Sequence, residues 1–165
     1  MNNRPHSQTV SLVAVETIEK LALMFLVPEE EMSDGAPQAE RAVSVAFSGV
    51  RQGVLFLSAD KGILPELAAN MLGYEDGSQV PADQQDDALR ELANVMCGNL
   101  LPAIAGPKPV FHISAPQDVP ESRAPDVFCG SPPAGVARLC VDSGAIEIRL
   151  FIDEPVTVRA AQVSL

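Results

Sequence analysis

The spacing of hydrophobic residues predicts that an amphipathic helix opens the chain. Over residues 10–27 apolar side chains recur every three or four positions, with glutamates and a lysine away from the main stripe. Pro28 and the acidic residues after it end this helix, and residues 32–40 are predicted to form a loop.

Two strands and a second helix are predicted next. Residues 42–47 alternate apolar with small or polar side chains, and residues 53–57 are a continuous apolar run. The turn falls at residues 49–53, so these segments are expected to form a hairpin. A helix over residues 61–72 then ends at Gly73, where a left-handed C-cap is common.

The longest predicted helix spans residues 81–104, and a mainly stranded region follows it. Pro102 falls in its last turns, so we expect a kink or a break there. The Pro-rich residues 115–133 show little periodicity. Strands are predicted at residues 110–114, 135–141, 145–152 and, at an edge, 156–158.

This order of elements predicts an α+β fold, with an antiparallel β-sheet layer packed with long helices. A long helix followed by a hairpin occurs in each half, which is a weak sign of an internal pseudo-two-fold repeat. We expect residues 1–165 to form a single domain, with residues 1–8 as a flexible N-terminus. No glycine-rich phosphate loop follows a predicted strand, so nothing favours nucleotide binding.

Composition narrows the classes of partner. The 165 residues are 47% hydrophobic, enough for a core, and carry a formal net charge of −11. That charge argues against nucleic acids and anionic membranes, which both require basic surfaces. The charged residues of the first helix argue against a signal peptide or a membrane span, so we expect a cytoplasmic protein. An acidic protein can still dock on a protein with a basic face, so protein partners remain open.

Cysteine and histidine offer no metal site. Cys97, Cys129 and Cys140 are widely separated, and His6 and His112 stand alone. We therefore expect three reduced, buried or half-buried thiols, a structural or surface role for His112, and no metal or intrinsic cofactor.

The helix at residues 81–104 carries the candidate chemistry. Asp87, Glu91, Asn94 and Gly98 are spaced by four, three and four residues, so they form one line on its surface, here named the polar stripe. The opposite, apolar face is predicted to comprise Ala88, Leu89, Leu92, Met96, Leu100 and Ala103.

The polar stripe suits a protein that assists phosphoryl transfer. Such a protein must mainly position a water molecule and hold its partner in register. The carboxamide of Asn94 can accept from and donate to one water molecule, Glu91 can pair with a cation, and Gly98 lets a partner backbone approach. The alternative is that these residues form an ordinary solvated helix face.

The stripe resembles a family signature. Asp87, Glu91 and Asn94, followed by Pro116, are similar to the motif of the CheC/CheX/FliY chemotaxis phosphatases, in which Asp or Ser, Glu and Asn precede a proline. Pro116 is one residue closer than the usual spacing. The similarity extends over most of residues 10–152 and is least in 115–133.

The resemblance implies a mechanism. The helix would dock over a phosphorylated CheY-like receiver domain, where Asn94 would orient the attacking water and Glu91 would contact the receiver's lysine. Asp87 and Pro116 would support the helix and its neighbouring loop. Mg²⁺ would be bound by the receiver.

The resemblance also implies the number of sites. CheC members carry two motifs and CheX members one. The corresponding place on the first helix has Glu16, but Glu19 replaces the asparagine and would repel a phosphoryl group. We therefore predict one site per chain, as in CheX, and by resemblance a homodimer.

Other functions remain as alternatives. One is a non-catalytic adaptor that binds a receiver or a flagellar component through the same surface. Another is a structural or small-molecule-binding domain. A hydrolase triad is disfavoured because the sequence has no G-x-S-x-G elbow.

Overall fold

The structure, a computed structural model, describes residues 4–27 and 40–153 as a seven-stranded antiparallel sheet with helices on one face. The helices are α1 (Ser7–Thr17), α2 (Leu64–Leu72) and α3 (Ala82–Ala105). The strands are β1 (Leu26–Val27), β2 (Glu40–Ser48), β3 (Gly53–Asp60), β4 (His112–Ile113), β5 (Gln117–Asp118), β6 (Gly135–Val141) and β7 (Gly144–Ile152). A π turn at Ile18–Ala22 and 3₁₀ turns at Lys61–Ile63 and Gly77–Gln79 complete the described elements. The predicted α+β class is confirmed.

The sheet shows the internal repeat more clearly than the sequence does. Its strand order is β1-β6-β7-β3-β2-β4, and β5 also pairs with β2. At the centre, β3 and β7 pair antiparallel, with Leu55 opposite Leu150. In each half a short strand follows the long helix and pairs with the hairpin of the other half. β1 pairs with β6, whereas β4 and β5 pair with β2.

The core lies between this sheet and the helices. Alternate residues of β3 and β7 point the same way because side chains in a strand alternate between faces. Each buried Leu or Ile contributes about 1.5–3 kcal/mol relative to an exposed one. The largest fully buried side chains are Ile18, Leu55, Leu57, Ile63, Leu67, Leu89, Leu92, Met96, Leu100, Ile146, Ile148 and Leu150.

The predicted apolar face of α3 needs one correction. Ala103 is exposed, whereas the other five predicted positions are buried. Ala93, Cys97 and Leu101 are buried in addition. A helix covered on one side by the sheet and flanked by neighbours buries a wider arc than a single stripe.

The Pro-rich residues 115–133 cover part of the other face of the sheet. Phe128 packs against Phe56 and Phe151, with ring centroids 5.7 Å apart in both pairs. Arg149 Nη1 donates to the Pro125 carbonyl at 3.0 Å and to Asp126 Oδ1 at 2.7 Å. These contacts hold the irregular segment against the sheet. They explain why it contains apolar residues that follow no regular period.

The predicted first helix was wrong at its C-terminal end. The helix and its π turn end at Ala22, and Leu23 adopts a left-handed backbone (φ 51°). Asn70 Nδ2 donates to the Ala22 carbonyl at 2.9 Å, which satisfies an acceptor that the helix end leaves open. Residues 26–27 instead pair with β6, so sheet formation overrides the helical spacing.

Of the kink or break expected near Pro102, the break does not occur. The helix continues through Pro102, and the Gly106 N–H donates to the Pro102 carbonyl at 2.9 Å. The hairpins β2–β3 and β6–β7 and the left-handed C-cap at Gly73 (φ 81°) are confirmed. The strand predicted at residues 156–158 lies outside the described residues.

The N-terminal segment is anchored where the structure describes it. Residues 7 and 8, which we expected to be flexible, form the first turn of α1. The His6 N–H donates to the Ala134 carbonyl at 3.0 Å, which ties the chain before α1 to the residue before β6.

The cysteines differ in exposure. Cys97 and Cys140 are buried, but Cys129 is exposed, contrary to expectation. Burial raises the pKa of the Cys97 thiol to about 12, so it remains a protonated core residue. Within residues 4–27 and 40–153 no three His, Cys, Asp or Glu side chains could hold a metal ion together. Among the described helices, none has the length and apolar character to cross a bilayer.

Candidate functional site

Helix α3 presents its polar stripe between two packed flanks. On one flank Arg90 bonds to Asp118 of β5. On the other, Asn99 Nδ2 donates to Thr17 Oγ1 of α1 at 3.2 Å. The polar stripe lies between these contacts, so the helix is held from both sides while its outward face stays open.

Glu91 and Asn94 are the chemically useful residues of the stripe. Glu91 is exposed and Asn94 is half-buried. Neither side chain hydrogen-bonds to another residue within the described part of the chain. Their carboxylate and carboxamide are one helical turn apart and available to an incoming ligand.

Gly98 opens the next turn of the helix. It is exposed, and a Cβ placed there would meet no atom within 4 Å. Pro102, four residues later, has no N–H to donate to the Gly98 carbonyl. The helix therefore offers a bare backbone surface with an acceptor that lacks its usual helical donor.

A groove of about 700 Å³ runs beside Gly98, between α1 with its π turn and α3. It is formed by Val13, Glu16, Thr17, Lys20, Leu21, Val95, Gly98, Asn99, Pro102 and Ala103. The lining mixes apolar side chains with a few polar groups.

Asp87 supports the stripe through an arginine. Its Oδ1 accepts from Arg90 Nη1 at 2.6 Å, and Arg90 also donates to both oxygens of Asp118, at 3.0 and 2.7 Å. The hydrogen bond from Arg90 lowers the pKa of Asp118, and the same bond raises the pKa of Arg90. We name these three residues the Arg90 clamp.

Sequence reasoning missed two members of this clamp. The i,i+3 spacing of Asp87 and Arg90 on one helix was a usable signal. Asp118 was not, because it is 28 residues from Arg90 along the chain and only the packing of β5 beside α3 brings it near.

Pro116 lies between β4 and β5 on the edge of β2. Ile113 is opposite Phe47 and Gln117 is opposite Ser44, so the edge segment takes four steps where β2 takes three. The extra residue makes a bulge, and proline fits there because a bulge needs fewer donors.

The first helix lacks an equivalent stripe. Glu16 is exposed, and Lys20 Nζ donates to its Oε1 at 2.6 Å. This hydrogen bond and the charge of Lys20 lower the pKa of Glu16. Glu19, one turn away, is also exposed, so this face offers carboxylates without a carboxamide.

An antiparallel sheet with an outward Glu and Asn on one long helix defines a class: α+β proteins of the chemotaxis phosphatase type. The family model for the chemotaxis phosphatase CheX matches residues 41–123, just over half of the chain, and this segment contains α3 and Pro116. The chain therefore belongs to the CheX chemotaxis phosphatase family, as the residues around Glu91 predicted.

Solved structures share the fold. CheX in a CheX–CheY–BeF3–Mg complex from Borrelia burgdorferi is 16% identical, with a TM-score of 0.66 over 89% of this chain and 97% of that one. CheX from Vibrio vulnificus is 16% identical, with a TM-score of 0.65 over 93% and 100%. FliY from Thermotoga maritima is 16% identical, with a TM-score of 0.54 over 92% of each chain. No curated protein sequence matches this chain.

Proposed function

We propose that this protein is a phosphatase that dephosphorylates a CheY-like response regulator by promoting hydrolysis of its aspartyl phosphate. The observation that carries the proposal is the pair Glu91 and Asn94 on the outward face of α3 in a CheX family member, with no hydrogen-bond partner for either side chain among the described residues. Chemotaxis or a related two-component pathway is the proposed setting.

Asn94 is the proposed catalytic residue. A phosphoryl-transfer catalyst gains most from positioning the nucleophile and from stabilising charge. A carboxamide oxygen accepts a hydrogen bond from a water molecule and its NH₂ donates one to the water oxygen, so it orients the water without removing a proton. Asn94 is half-buried and lies on a helix packed on both flanks, which supports this role.

Glu91 and Gly98 are proposed to hold the partner. The exposed Glu91 carboxylate would pair with a cation of the receiver, a lysine by family resemblance. Gly98 would accept close contact from the receiver because no side chain stands over the helix at that turn. Asp87, a member of the Arg90 clamp, and Pro116, two residues before Asp118, are proposed as supporting residues.

The partner and its metal are proposed together. The Borrelia burgdorferi CheX was solved with CheY, BeF3 and Mg. For the present chain we propose a CheY-like receiver as partner, with Mg²⁺ bound by that receiver. The family model matches residues 41–123, a segment that contains the polar stripe.

Assembly and location follow by resemblance. We propose a cytoplasmic, single-domain protein that forms a homodimer through a sheet continued between subunits. One hydrophobic cluster joins α1, α3 and all the long strands, which supports a single domain. Analytical ultracentrifugation checks the dimer, since a monomer at micromolar concentration would contradict it.

The test follows the aspartyl phosphate of CheY-like receivers from the same cell, with and without the protein. Faster loss with wild type, and receiver binding without faster loss in Asn94→Ala, would support a water-positioning phosphatase. Binding without acceleration by the wild type would favour the adaptor alternative. Neither binding nor acceleration with any receiver would contradict both.

A further inference from the structure

We propose that Arg90 is a positioning residue. It holds residues 112–118, the edge segment of the sheet that contains Pro116, beside the turn of α3 that carries Glu91 and Asn94. This inference rests on the proposed phosphatase function. Arg90 is not part of the signature that led to the site, and its role follows from contacts seen only in the folded chain.

The geometry of the clamp uses every nitrogen of the guanidinium group. Nε and Nη2 form a two-pronged contact with Asp118, at 3.0 and 2.7 Å, and Nη1 bonds to Asp87 at 2.6 Å. A planar fork that bonds a carboxylate twice fixes direction as well as distance, which a lysine could not do. The clamp therefore defines how β5 sits against α3.

The direction of the edge segment places Pro116 near the site. Near its start α3 faces β2, where Arg41 Nε is 3.7 Å from Asp86 Oδ1. After α3 the chain returns along β2, with Phe111 against Phe47 at a ring-centroid distance of 6.0 Å. The edge segment thus runs back antiparallel to α3 and reaches Asp118 beside Arg90.

Two residues before Asp118, Pro116 consequently lies alongside the turn of α3 that follows Arg90. That turn carries Glu91 and Asn94. The clamp thereby links the two supporting members of the signature, since Asp87 bonds Arg90 directly and Pro116 is held through Asp118. Asp87 and Pro116, which are far apart in the sequence, therefore support the same surface of α3.

The edge needs such a restraint. β5 pairs with β2 over only Gln117 and Asp118, and a bulge separates it from β4. Because the Asp118 side chain is 62% exposed, the ion pair adds little to global stability. The catalytic rate is more sensitive to the position of the edge segment than the stability of the fold is, because a displacement of about 1 Å can lower a rate by about a hundredfold.

Steady-state kinetics with a phosphorylated receiver test the proposal in Arg90→Ala, Asp118→Asn and the double variant. We expect kcat to fall about tenfold in each, with KM unchanged, and no further loss in the double variant. The matched control is Arg123→Ala, which removes an ion pair to Glu40 (3.5 Å) that includes no residue of α3 or of the Arg90 clamp, and it should leave kcat unchanged.

Hydrogen exchange separates this proposal from the phosphatase function. The Val119 N–H donates to the Ala42 carbonyl at 2.9 Å and reports on the edge next to Asp118. Faster exchange there in Arg90→Ala, at unchanged melting temperature, would support the clamp. Unchanged Val119 exchange, a wild-type kcat in Arg90→Ala, or a loss confined to KM would overturn it. Inactive wild type would instead refute the phosphatase function, and the positioning role with it.

Discussion

Helices α1 and α3 hold equivalent places in the two halves of the fold, but their outward faces differ in chemistry. Each precedes a short strand that pairs with the other half's hairpin. On α1, Glu16 is bound to Lys20 and is followed by Glu19. On α3, Glu91 has no partner among the described residues and is followed by Asn94.

The ends of the two helices differ as well. α1 passes into a π turn and stops before Leu23, whereas α3 continues to Ala105 and exposes backbone at Gly98. Under the proposed function, its length and uncovered turn would let α3 dock on a receiver where α1 would not. The comparison teaches that a repeated topology preserves the scaffold while the chemistry depends on a few outward side chains.

Apart from Asn94, the largest effect should come from covering the bare turn of α3 at Gly98. Gly98→Leu should lower kcat/KM by about a hundredfold, because a leucine side chain would stand where the receiver docks. The fold should be kept, since a Cβ meets nothing within 4 Å. Gly98→Ala is the graded control and should cost less. Wild-type kinetics in Gly98→Leu would place the docking surface elsewhere.

A smaller effect should follow loss of the free carboxylate. Glu91→Ala should raise KM about tenfold and change kcat less, because a partner contact present before and during the reaction contributes uniform binding. Steady-state kinetics at several receiver concentrations measure this division. The matched variant on α1 is Glu19→Ala, where KM should not change. A fall in kcat alone for Glu91→Ala would argue against a docking role.

A third effect concerns stability and pH. The pKa of Asp118 is lowered in the folded chain, so its ionised form stabilises the fold above its ordinary pKa of about 3.9, and this contribution is lost as pH falls through the lowered value. Asp118→Asn should therefore reduce the free energy of unfolding at pH 7 by less than about 1 kcal/mol, because the pair is exposed. The difference from wild type should shrink as the pH falls through the lowered pKa of Asp118. Urea unfolding at several pH values measures it, and a constant difference would contradict it.

The smallest expected effect tests whether α1 can become a site. Glu19→Asn restores the family's residue type, but Glu16 stays bound to Lys20 and no bare turn lies nearby. In an Asn94→Ala background it should recover less than about 1% of wild-type kcat. Substantial recovery would show that the two halves differ only in that one residue.

Local pattern predicted much of the fold and of the site. The stripe from Asp87 to Gly98 follows from helical spacing, and the β6–β7 hairpin from its turn. The end of α1 could not be predicted from local pattern, because the pairing of residues 26–27 with β6 is a non-local contact. The role of Asp118 was not predicted for the same reason, because only packing in the folded chain brings its partner Arg90 near.

Single-turnover hydrolysis with the phosphatase in excess tests the central claim most directly, since it removes differences in binding. The account predicts that Asn94→Ala slows loss of the receiver's aspartyl phosphate by about a hundredfold or more, whereas Glu19→Ala on α1 matches wild type. An unchanged rate in Asn94→Ala, or an equal loss in Glu19→Ala, would contradict a single water-positioning site on α3.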